Sequence, residues 1–191
     1  YGYLYQGQYY TWQQKRRGTP ALDLPPAAFV TFLQNHDQIA NSGLGLRCHA
    51  LTSPGLLKAL TALLLLGPGT PMLFQGQEFA ASSPFFYFAD FAGDLARLTA
   101  EGRAKSLSQF PSLAQPEMQD WLVDPGALET YRRSKLDLAE RQHHAGMYAL
   151  HRDLLWLRRE EPVFRAQRHG DMDGAVLAAE AFVLRFFGTH H

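Results

Sequence analysis

Two short polar runs in this chain set groups capable of proton chemistry directly after apolar stretches. Asn35-His36-Asp37-Gln38 follows the run from Ala27 to Leu33, and Gln75-Gly76-Gln77-Glu78 follows Pro71 to Phe74. A carboxylate beside an imidazole can hold or pass a proton in a reaction. Two carboxylates on one rim, here Asp37 and Glu78, could supply the acid and base pair of glycoside hydrolysis. A plainer reading stays open at this point: an Asp after a strand also serves as an Asx-turn or a helix cap.

Something must carry those groups. Ala27 to Leu33 is too brief for a helix and rich in Phe and Val, which predicts a buried strand. Ser53-Pro54 offers an N-cap followed by Pro at the first helical position. Leu56, Leu57, Leu60, Leu63 and Leu64 then recur at helical spacing until Gly67-Pro68-Gly69. Pro71 to Phe74 reads as a second short strand. Strand, helix, strand is the βαβ unit of a parallel sheet, where function collects at the C-terminal strand ends.

Residues 1–26 are aromatic, polar and punctuated by Gly and Pro, and read as a long surface loop. From Phe79 to Gly126 no period survives, so short helices within a long, function-bearing excursion are expected. Ser134 to Glu160 is expected as one long helix with a Met147, Leu150, Leu154 and Leu157 stripe, ended by Pro162. Strands are expected between Val163 and Phe187. The chain opens at Tyr1 without Met and closes on His190-His191, which reads as a fragment; the two His fit either a tag remnant or a native turn.

Several functions are disfavoured. Lys+Arg and Asp+Glu are equal at 18 each, so no net field draws nucleic acid or anionic lipid. The basic run Lys15-Arg16-Arg17 is too short for a nucleic-acid stripe. Cys48 is the single cysteine, which leaves no intramolecular disulfide and no thiolate cage. His143, His144 and His151 lack a third ligand at metal-site spacing. Gly43 and Gly45 do not make a phosphate-cradling fingerprint, and no G-x-S-x-G elbow exists. No apolar run approaches a membrane span. The cluster Phe85-Phe86-Tyr87-Phe88 fits core packing and an aromatic sugar platform equally well.

The stretch FLQNHDQ with the Gly-rich segment after it, and GTPMLFQGQEFAASSPFFYFADF, resemble the α-amylase superfamily of glycoside hydrolases. Within it they resemble the branch acting on malto-oligosyltrehalose, and YQGQYYTWQQKRRGTP with Leu24-Pro25-Pro26 fits the same branch. Asn-His-Asp alone marks the superfamily; the long combination is more specific. The resemblance implies an α/β fold, the C-terminal part of a (β/α)8 TIM barrel. Phe29 to Leu33 would be strand seven and Pro71 to Phe74 strand eight. Residues 1–162 would belong to the barrel, and 163–191 would open a β-rich C-terminal domain.

The implied reaction is retaining hydrolysis of the α-1,4 bond beside the trehalose end, releasing trehalose. Asp37 would stabilise the transition state, and His36, Asn35 and Gln38 would bind substrate. Nucleophile and general acid would come from strands four and five. Upstream of Asp37 the chain has neither a G-x-R-x-D nor a second strand-end Glu, so it is expected to be inactive alone, with Glu78 either structural or a carboxylate set back behind the groups that touch substrate. No cofactor and no metal are implied. The expected partners are malto-oligosyltrehalose and related α-glucans, not nucleic acid or membrane. A cytoplasmic location and self-association through open edges are also expected. Another α-glucan enzyme, such as a branching enzyme or amylase, and a non-catalytic carbohydrate-binding remnant stand as alternatives.

Overall fold

The computed structural model describes residues 5–21, 23–119, 121–168 and 170–188. Tyr1 and the His190-His191 pair lie outside them. In chain order the elements are β1 (Gln6–Tyr10), β2 (Lys15–Gly18), β3 (Val30–Thr31), α1 (His36–Ala40), α2 (Pro54–Leu66) and β4 (Thr70–Pro71). There follow α3 (Gly93–Leu107), α4 (Pro116–Gln119), α5 (Leu128–Arg133), α6 (Glu140–His143), α7 (Ala145–Glu160), α8 (Pro162–Arg165), β5 (Met172–Ala178) and β6 (Ala181–Phe186). They gather into two compact units, one of Tyr1–Phe32, Thr61–Met72 and His151–His191, the other of Leu33–Leu60 and Leu73–Leu150.

The first unit holds the expected parallel pair. Val30 faces Thr70 and Thr31 faces Pro71 in register, with the chain crossing between them through α2. The strands are shorter than the apolar runs. Thr70 N–H donates to Phe29 O at 2.8 Å and Met72 N–H to Thr31 O at 2.8 Å, and the ladder ends there. The expectation of a buried strand is also corrected, since Val30 is 56% exposed. The reason is neighbourhood: among the described residues β4 is the only strand paired with β3. The glycines that stop α2 are pinned by Arg158, which donates to the carbonyls of Leu65, Gly67 and Gly69 at 2.9, 2.6 and 2.5 Å. A cation among orphan C-terminal carbonyls satisfies them and suits the helix dipole.

Residues 1–26 are not simply a loop. β1 and β2 form an antiparallel hairpin whose register shifts between Gln6 and Tyr9. Its side chains interact as a cation among rings: Arg17 lies 4.7 Å from the Tyr5 ring centre and 5.1 Å from that of Tyr10. Such a hairpin needs no apolar face, so no alternation betrays it. A second hairpin, β5 with β6, runs from Met172 opposite Phe186 to Ala178 opposite Ala181. Arg185 grips Asp173 there with two hydrogen bonds, 2.9 and 2.6 Å. Before it stands α8: α7 ends at Glu160 just ahead of Pro162, as expected, and Pro162 also opens the first turn of α8.

The second unit is helical, and two expectations fail in it. The single helix expected from Ser134 to Glu160 is two elements, α6 and α7; α5 has already ended at Arg133, and residues 134–139 are not helical. Backbone turns at Ser134 and His144, whose φ and ψ are −104° and 33°, interrupt it. Conversely, the excursion after Phe79 contains α3, fifteen residues long and not short. Only Leu107 of α3 is buried, so the helix presents no apolar stripe for periodicity to find. Ser53 does cap α2, its hydroxyl accepting from Leu56 N–H at 3.2 Å.

Candidate functional site

The continuations of β3 and β4 both enter the second unit, where the singled-out polar runs lie. Asn35 is the N-cap of α1, with its side-chain oxygen accepting from Asp37 N–H at 2.7 Å and Gln38 N–H at 3.4 Å. Gln38 Oε1 returns the contact by accepting from Asn35 N–H at 2.9 Å. This reciprocal box satisfies orphan donors and fixes the first turn that carries His36 and Asp37. His36 Nε2 stands 3.5 Å from Asp37 Oδ1, and the two side chains are 65% and 67% exposed. The strand-end turn reading and the functional reading therefore coexist: Asn35 caps, and Asp37 is presented.

The other end of α1 is held by a residue without a sequence signal. Arg103 of α3 donates to Asn41 Oδ1 at 2.8 Å and Ala40 O at 2.9 Å, with its guanidinium 4.9 Å from the Tyr87 ring centre. Burial lowers the Arg103 pKa, while Tyr87 and Asp37 pull it back up. Beneath them Ile39 and Ala40 are buried. Gln34, 3% exposed, turns its Oε1 to Cys48 N–H at 2.7 Å and so ties the strand exit to the following loop.

The run from Gln75 to Ser83 is built around Arg47, which is 2% exposed. Arg47 Nε donates to Ser83 O and Nη1 to Gln75 O, both at 2.7 Å, and the guanidinium lies 5.5 Å from the Phe74 ring centre. Burial lowers its pKa, with Glu78 and Glu140 acting in the opposite direction. Gly76 has φ +82°, and a Cβ there would lie 2.7 Å from Leu136 Cδ2 and 2.8 Å from Ala81 Cβ. Only glycine fits that approach. In the sequence Arg47 is a lone charge in the apolar stretch SGLGLRCHAL, and that isolation is the one signal that could have found it.

Glu78 sits 3.9 Å from Arg141 Nη2, and its side chain is 27% exposed. Glu140 accepts from both Ser82 N–H, at 2.8 Å, and the Ser82 hydroxyl. Those two bonds hold its carboxyl below the usual carboxylate range, helped by His144 and His143. His144 Nδ1 is 2.9 Å from Phe79 O, which only accepts, so Nδ1 carries the proton. Burial, then Arg47 and His144, push the His49 pKa down. Among the described residues no cluster of three His, Cys, Asp or Glu is arranged to hold a metal, and no helix is long and apolar enough to cross a membrane.

The aromatic cluster divides. Phe86 is 3% exposed and belongs to the core, its N–H donating to Ser134 Oγ at 3.0 Å. Its neighbours form an edge-to-face series that runs Phe74 to Phe85 at 5.0 Å, Phe85 to Phe88 at 6.0 Å and Phe88 to Tyr131 at 5.3 Å. Core packing is thus shown for Phe86, and ring-to-ring packing for its neighbours.

A parallel βαβ element that delivers an exposed Asn-His-Asp turn defines an α-amylase-like piece of structure, and a solved structure agrees. A provisionally assigned α-amylase from Salmonella typhimurium superposes with a TM-score of 0.74 and 38% identity, covering 91% of this chain and 29% of that one. No family model matches the chain. It is homologous to the malto-oligosyltrehalose trehalohydrolases: 41% identical over 184 residues to that of Deinococcus radiodurans, and 37% over 179 residues to that of Arthrobacter ramosus. The alignments take in 92% and 91% of this chain but 30% of each relative, so the chain spans about a third of their length. The fold is accordingly a mixed α/β segment, with no closed barrel among the described residues.

Proposed function

We propose that the chain is the portion of a trehalohydrolase that supplies the transition-state-stabilising carboxylate for cleaving the α-1,4 bond beside the trehalose end of malto-oligosyltrehalose. The observation that carries this reading is the 41% identity to a trehalohydrolase over 92% of the chain. Asp37 is held at the first turn of α1 and remains open to solvent, which suits a group that must meet a sugar.

In retaining hydrolysis positive charge develops on the sugar ring as the bond breaks. A fixed carboxylate lowers the energy of that state more than of the bound substrate, which is what accelerates the reaction. Asp37 takes this role, and His36 donates to hydroxyls of the same sugar. Asn35 and Gln38 have committed their side-chain oxygens to the cap. Among the described residues their NH2 groups donate no hydrogen bond, leaving them available to substrate. Nucleophile and general acid come from elsewhere in a longer cytoplasmic protein. In that protein 1–162 contributes strands seven and eight of a (β/α)8 barrel, and 163–191 begins a β domain. By itself the chain associates through the apolar surface around Val30 and Phe32, which are 56% and 39% exposed.

The test is trehalose release from malto-oligosyltrehalose by a longer protein containing this chain. Asp37→Asn should lower kcat by about a hundredfold or more, with an unchanged thermal transition. The chain alone should release none. Normal turnover by the Asp37→Asn protein would sink the assignment.

A further inference from the structure

We infer that Arg103 is a positioning residue for the reaction proposed above: it clamps the C-terminal end of α1 and through that helix sets where Asp37 stands. The inference rests on Asp37 being the transition-state-stabilising group. α1 runs only from His36 to Ala40, five residues. A helix of little more than one turn has no stability of its own in water, so groups outside its backbone ladder must hold its ends. The Asn35–Gln38 box holds the first turn and leaves the other end open.

Arg103 closes that end from α3. Its Nη1 donates to Asn41 Oδ1 at 2.8 Å and its Nη2 to Ala40 O at 2.9 Å, a two-pronged grip on adjacent residues. Asn41 N–H in turn donates to Asp37 O at 2.9 Å. Two hydrogen bonds therefore lead from the guanidinium, through one residue, to the backbone of Asp37. That backbone is bonded on both sides, since Asp37 N–H donates to Asn35 Oδ1 at 2.7 Å. The clamp is itself fixed by a cation–π contact, its guanidinium 4.9 Å from the Tyr87 ring centre. Tyr87 and Asp37 both favour the charged guanidinium, so attraction as well as the bonded path joins Arg103 to the carboxylate. Buried Ile39 and Ala40 seat α1, but apolar burial is non-directional, and the hydrogen bonds at the two ends decide how the helix is turned. A carboxylate that must meet a developing charge loses effect steeply when it is displaced.

The test is a double-mutant cycle on trehalose release by the longer protein containing this chain. Arg103→Met should lower kcat about tenfold while KM changes little. Arg103→Lys should recover part of the loss, because an ammonium lacks the planar fork. Asn41→Ala removes one acceptor and leaves Arg103 in place; it should lower kcat severalfold, and it keeps the test alive if Arg103→Met does not fold. In the Asp37→Asn background each substitution should cost less than about twofold, because the carboxylate it positions is already gone. A full, additive loss in that background would overturn the inference and leave the proposed function standing, since Arg103 would then act on something other than Asp37. An unchanged kcat for both Arg103→Met and Asn41→Ala would overturn it equally. Normal turnover by Asp37→Asn alone would sink the proposed function and this inference with it.

Discussion

The loops that continue the two parallel strands are fixed by opposite means. The turn at 35–38 is held by its own side chains, Asn35 and Gln38 exchanging hydrogen bonds within one helical turn while His36 and Asp37 face solvent. The run 75–83 is held from outside by Arg47, a buried cation from another loop that bonds two of its carbonyls. Local capping leaves reactive side chains free, because the groups that stabilise the turn are not those that would meet a ligand. A buried anchor rigidifies a longer run but ties its conformation to a single residue. The two segments should therefore fail differently when their fixing groups are removed.

The largest effect is expected from Arg47→Met. It leaves the carbonyls of Gln75 and Ser83 without their charged donors and keeps most of the apolar volume. Bonds to charged groups contribute more than neutral ones, and a buried acceptor left unpaired costs desolvation, so about 3–5 kcal/mol should be lost. Urea unfolding measures it as a lower midpoint. Arg47→Lys should recover only part, because one ammonium cannot reproduce the fork. A loss under about 1 kcal/mol would mean that Arg47 does not anchor the run, and the contrast between the segments would collapse.

A smaller, local loss is expected at the first turn. Asn35→Ala removes the cap from Asp37 and Gln38 N–H and should cost about 1 kcal/mol. Hydrogen exchange of those two amides should quicken while amides of residues 75–83 keep their protection. If both regions loosened together, the turn would not be self-contained.

This contrast also marks what could be read in the sequence. Capping and turn signals act between near neighbours, so the Ser53 cap, the glycine stop after Leu66 and the polar corner at 35–38 were all visible as residue types at fixed spacing. The βαβ order followed from them. Residues that act across the chain left no such trace. Arg103 reaches Asn41 from 62 positions away, and Ser82 meets Glu140 across 58. Neither spacing is a property of any window. The α3 helix was missed because it buries one residue at its end, and the N-terminal hairpin because a cation between rings replaces apolar alternation. The non-helical stretch before α6 left no local trace either: the Ser134 hydroxyl accepts from Phe86 N–H, 48 positions away, a contact that no sequence window contains.

The smallest expected effect concerns the brace between the anchored run and α6. Two Ser82 bonds and the neighbouring His144 and His143 favour the charged form of Glu140 and depress its pKa in the folded chain. A depressed carboxylate contributes stability that is present above its unfolded pKa and lost as the pH falls through the folded value. Because the carboxylate is largely open to water, the contribution is modest. The stability of the unmodified chain minus that of Glu140→Gln should be positive near neutrality and shrink on acidification. It should vanish once Glu140 is protonated in both states. Ser82→Ala should flatten the same difference by removing the main cause of the shift. A difference that instead grew toward acid would show that the charge on Glu140 opposes folding. The brace would then work against the Arg47 anchor it is expected to support.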